Sequence, residues 1–108
     1  MASTLKNAAA KAVGITAASV VTAAAGKTIV LLGVNIANIN SQVVSVDIIH
    51  VIGGVDHYIL KGVNISPGGA FTPSGNEQKI ILMAGDTLKV KSDIAASLDV
   101  VASYAEIG

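Results

Sequence analysis

After Gly14 the chain is dominated by β-branched residues, and turn-forming residues interrupt it roughly every eight to twelve positions; no helical repeat competes with that rhythm. Val, Ile and Thr are stiff at their first side-chain torsion and pack well on a pleated surface. The punctuation is specific. Ala25-Gly26-Lys27, Asn38 to Gln42, Gly53-Gly54, Pro67-Gly68-Gly69, Pro73 to Asn76, Ala84-Gly85-Asp86 and Asp93 to Ser97 each supply glycine freedom, proline stiffness or self-capping by Asn, Asp or Ser. The pattern predicts an all-β fold, an eight-stranded antiparallel β-sandwich of jelly-roll or Ig-like type. Its strands are expected near 15–23, 28–37, 43–52, 55–63, 69–72, 78–82, 87–92 and 98–106.

Residues 87–92 alternate, with Leu88 and Val90 on one face and Lys89 and Lys91 on the other, so one side should meet solvent. Ile29-Val30-Leu31-Leu32 and Ile48-Ile49 place large apolar groups on both faces. In so small a domain the second cover is expected to be another subunit. Met1 to Val13 lacks the β pattern: two lysines stand among small alanines, and Ser3 or Thr4 can cap only a short turn before Gly14. We therefore expect a docking arm at 1–13 and a single domain at 14–108. Leu5 and Val13 are the arm's chief large apolar groups, so its deletion is expected to change stability by no more than about 1 kcal/mol. Leu5, Lys6 and Lys11 are its candidate interface residues.

The 108 residues carry seven lysines, seven acids and no arginine, leaving no net charge to attract nucleic acid or an anionic membrane. Without cysteine there is no disulfide, thiolate nucleophile or cysteine-ligated zinc. Apolar residues make up 52% and charged ones 13%, half the usual charged share of about a quarter. That balance suits a chain that hides part of its surface in an assembly. Every apolar run is broken well short of the roughly 18 residues of a membrane span, and Lys6 to Ala25 imitates a signal peptide poorly because Thr16, Ser19 and Thr22 interrupt it.

The motifs that invite chemistry fail on inspection. Gly26-Lys27-Thr28 lacks the glycine five positions upstream that a phosphate loop needs, since Val21 stands there. No Gly-x-Ser-x-Gly elbow occurs, and the acids fall mostly at turns and strand ends. Asn64-Ile65-Ser66 matches a glycosylation acceptor but is followed by Pro67. If Gly53-Gly54 forms a two-residue hairpin, His50 stands opposite His57, half of a metal site without a third ligand. We read the two histidines as a cross-strand pair at an edge or interface, and expect no metal, no cofactor and no catalytic residue.

Several turn-plus-strand segments carry a resemblance: Ala25-Gly26-Lys27-Thr28, Ser45-Val46-Asp47-Ile48, Tyr58-Ile59-Leu60-Lys61, Ile65-Ser66-Pro67-Gly68-Gly69, Ala84 to Val90, and Leu98 to Ile107. From about Thr16 to Ile107 the chain resembles small virion proteins of tailed bacteriophages, especially marine and cyanobacterial phages. Those sequences tend to have proline before the first Ala-Gly-Lys, where this chain has Ala24. The resemblance implies a β-sandwich building block with no functional residues to carry over. The expected function is a capsid decoration or cement protein, trimeric, bound to the major capsid protein lattice of a virion assembled in the host cytoplasm. A tail, neck, baseplate or fibre-associated component is the alternative within the virion. A carbohydrate-binding module is the alternative of another class, opposed by the scarcity of aromatic rings, which number three.

Overall fold

The computed structural model of the protein describes residues 3–74 and 80–108. The expected turn at Pro73 to Asn76 and the start of the expected strand 78–82 fall partly outside them. Among the described residues nine strands run β1 (Ser3–Val13), β2 (Ala18–Thr22), β3 (Thr28–Asn38), β4 (Val44–Ile52), β5 (Val55–Ile65), β6 (Ala70–Ser74), β7 (Ile80–Leu82), β8 (Thr87–Ser92) and β9 (Leu98–Ile107). One sheet has the order β1-β9-β3-β6 with β7 also on β3, and the other the order β2-β8-β4-β5.

The pairings nest. β1 pairs with β9, β2 with β8, β3 with β6 and β7, and β4 with β5, all antiparallel. A chain whose first half pairs strand by strand with its second half is one long hairpin wound into two sheets. That topology is a jelly roll, which decides between the two sandwich types the sequence left open.

Alternation does the sorting. On β3, Ile29, Leu31, Val34 and Ile36 face the other sheet and are buried; on β9, Leu98, Val100 and Ala102 do the same, and on β8, Leu88 and Val90. These residues join Val44, Val46 and Ile48 of β4 in one core. The β4–β5 hairpin turns through Gly53 and Gly54 with φ of 59° and 80°, the two positive values that a tight two-residue turn demands. At the opposite end, buried Asn38 donates through Nδ2 to the carbonyls of Gln42 and Ile65, while its Oδ1 accepts the Asn40 N–H at 2.8 Å.

The expectation of eight strands preceded by an arm is corrected at the N-terminus, where Ser3–Val13 forms an eleven-residue edge strand. Its backbone pairs with β9 from Ser3↔Ile107 to Val13↔Leu98. Small side chains suit the position, because Ala8 and Ala10 pack against the core beneath an edge where larger groups are not required. The strand's end is tied in more firmly. Val13 is buried, its carbonyl accepts the Ser97 N–H, and the Gly14 carbonyl accepts the Ser92 N–H, both at 2.9 Å. Gly14 is a close-packing residue there, since a Cβ would come within 3.1 Å of the Ala96 nitrogen.

Candidate interaction surfaces

The outer faces of the two sheets differ in chemistry. On the β2-β8-β4-β5 sheet the outward register positions carry Lys89, Lys91, Asp47 and Asp56 beside Val51 and Tyr58, a face studded with charge. Ile49 also points outward there, yet it is buried without belonging to the core. Its register neighbours are Lys89 and Tyr58, and the Lys61 ammonium lies 4.5 Å from the centre of the Tyr58 ring. Long side chains of this chain, rather than a second subunit, thus cover one of the two-sided apolar stretches noted in the sequence.

On the β1-β9-β3 sheet the outward positions are Leu5, Asn7 and Ala9 of β1, Val101, Ser103 and Ala105 of β9, and Val30, Gly33 and Asn35 of β3. A bulge between Leu31 and Gly33 leaves Leu32 unpaired and exposed beside them, and Ile81 of β7 continues the face past Val30. Leu5 is 77% exposed and Val101 50%, and the inward neighbours of Val101 on β9, Val100 and Ala102, are fully buried. Among the described residues the only charges at outward positions here are Lys11 and Asp99, which sit together at one end with Nζ and Oδ2 3.4 Å apart. A depression of about 300 Å³ is lined by Leu5, Lys6, Asn7, Leu32, Ser103 and Tyr104.

The residues singled out in the sequence are dispersed. Leu5 belongs to this apolar face. Lys6 points to the inward side, at the open end of the sandwich, and its ammonium donates to Glu106 Oε1 at 2.9 Å. That hydrogen bond first, and the carboxylate's charge second, raise the Lys6 pKa above the ordinary lysine value. Lys11 serves Asp99, whose Oδ1 accepts the Ala12 N–H at 2.9 Å. Ala12 has φ of 52°, a left-handed conformation within a bulge of β1, and the Asp99 carboxylate satisfies the nitrogen this bulge frees.

His50 and His57 do stand directly opposite each other in the β4–β5 ladder. They do not form an equivalent pair. His57 is exposed, whereas His50 is largely buried with Nε2 3.4 Å from Asp86 Oδ2 and no aligned hydrogen bond. Asp86 is itself buried and accepts the Met83 N–H at 3.1 Å, an ordinary turn contact. Among the described residues no group of three or more His, Cys, Asp and Glu side chains converges as a metal site would require.

Sequence reasoning missed Val101 and Ile81. Each sits in a run that reads as continuously apolar, and only the observed register says which member faces outward. No family model, curated protein or solved structure matches the chain. No helix among the described residues is long and apolar enough to cross a membrane.

Proposed function

We propose that the chain is a non-enzymatic structural protein of a tailed-bacteriophage virion, a capsid decoration or cement protein that binds the major capsid protein lattice. The observation that supports this most is the contrast between the two sheet faces. One is studded with charge, and the other is apolar with its two charges paired at one end. A surface of the second kind is what an assembly component keeps for its neighbours. The jelly-roll topology adds fold-level support, since viral capsid domains recur on it, as do lectins.

Against the lectin alternative stands the state of the three aromatic side chains. Phe71 and Tyr104 pack against the core, and exposed Tyr58 has its ring occupied by Lys61. That leaves a sugar few ring faces on which to stack. The test is quantitative protein counting in purified particles. Hundreds of copies per particle support the head shell, a few dozen or fewer move the protein to tail, neck or baseplate, and absence from particles refutes the proposal.

A further inference from the structure

We propose that the apolar outer face of the β1-β9-β3 sheet binds the same face of a second copy of this chain, sheet on sheet about a twofold axis. The inference rests on reading the chain as an assembly protein and names its first partner. Three features favour a copy over another kind of partner, and a face over an edge.

The first is charge. The face offers no field that would select an oppositely charged partner, and its polar groups, Asn7, Asn35 and Ser103, are neutral. In an isologous contact the residues near the twofold axis meet their own symmetry equivalents, so a charge at the centre of the face would meet its like. A centre holding Val101, Leu32 and Ala105 with charges only at one end meets that condition.

The second is area. The residues of β1, β9, β3 and short β7, each covering about 3.4 Å by about 4.8 Å, give a footprint of about 570 Å². A stable dimer needs about 800 Å² per partner, and the side chains that stand out from the footprint supply the difference. Leu32, pushed out by its bulge, and the depression beside it give one surface both a knob and a hollow.

The third is that the edges are blunted. Besides the bulge at Leu32 on central β3, bulges lie on the edge strands, on β1 between Ala10 and Val13, on β2 between Ser19 and Val21, on β6 opposite Val34 to Ile36, and twice on β5. On β5, Gly62 has φ of 71° and donates its N–H to Asp47 Oδ1, turning the strand away from regular pairing. Strand addition by a further chain is opposed at each of these edges, while stacking on the face is not. The trimer expected from sequence requires two different complementary patches, whereas this face needs only itself.

Sedimentation and light scattering of the purified chain test the inference, with Val101→Asp on the face and Lys89→Glu on the opposite sheet as a control. Wild type and Lys89→Glu are expected to have twice the monomer mass of 10.8 kDa at tens of micromolar. Val101→Asp is expected to run as a folded monomer, with an unchanged circular dichroism spectrum and a dissociation constant raised at least about 100-fold, because two buried aspartates face each other. Should Val101→Asp fail to fold, Ala105→Lys provides the same test from a neighbouring outward position. A wild-type chain that stays monomeric, or a dimer untouched by either face variant, overturns the inference. If the chain is monomeric yet Val101→Asp is lost from particles, the face belongs to a different protein and the second copy is refuted while the virion reading stands. A dimer broken by Val101→Asp in a protein absent from particles has the opposite meaning.

Discussion

Deleting residues 2–13 discriminates sharply between an N-terminal arm and a structural strand. The sequence alone predicts a loss of no more than about 1 kcal/mol, because such a segment has few large apolar groups. In the structure Val13 is 3% exposed, and burying a valine stabilises by about 2 kcal/mol. Removing β1 also uncovers β9, whose Leu98 and Val100 are fully buried; partial exposure of the two adds about 2 kcal/mol more. The lost ladder bonds, net about 1 kcal/mol each, are roughly offset by the backbone entropy that the freed residues regain. The expected loss is therefore about 4 kcal/mol, a large part of the 5–15 kcal/mol typical of a domain. Urea unfolding of intact and shortened protein, followed by far-ultraviolet circular dichroism, measures it. A difference under about 1 kcal/mol refutes the reasoning and restores the arm. Val13→Ala isolates the core contribution, with an expected loss of about 2 kcal/mol.

Asp99→Asn should destabilise the protein near neutral pH and become silent in acid. The Ala12 N–H, more than Lys11, holds the Asp99 carboxyl below its ordinary pKa, so its contribution is present above the ordinary carboxylate range and lost as pH falls through the folded value. Melting curves of both proteins from pH 7 to 2 check this, and a difference that persists or grows at the acid end contradicts it. Gly54→Ala forces a side chain into φ of 80° and should cost about 1 kcal/mol with the fold retained, read from the urea midpoint; a neutral effect would mean that the hairpin turn differs. Elemental analysis of dialysed protein should find no stoichiometric zinc, nickel or copper, and metal lost on both His50→Ala and His57→Ala would show that a third ligand exists.

The legible parts of the fold were those written as alternation and punctuation. Leu88 and Val90 against Lys89 and Lys91 fixed both faces of β8, and Gly53-Gly54 fixed the β4–β5 register down to His50 opposite His57. β1 was illegible because an edge strand over a thin part of the core can use alanine, which signals helix or nothing in isolation; its identity comes from β9, about ninety residues away. The same long-range pairing hid the apolar face. Ile29 to Leu32 announces two apolar sides, but only the bulge at Leu32 and the ladder to Ser103 and Ala105 reveal which side stays open. At Ile49 the same sequence signal led elsewhere, because Tyr58 and Lys89 flank it and close its outer side from within the chain. Two-sided hydrophobicity in a small sandwich therefore marks a strand that needs a second cover. Whether the cover comes from a neighbouring strand's long side chains or from another molecule depends on what the ladder sets beside it. At Leu32 and Val101 the ladder sets alanine, glycine, serine and asparagine, none of which is long enough to close the face.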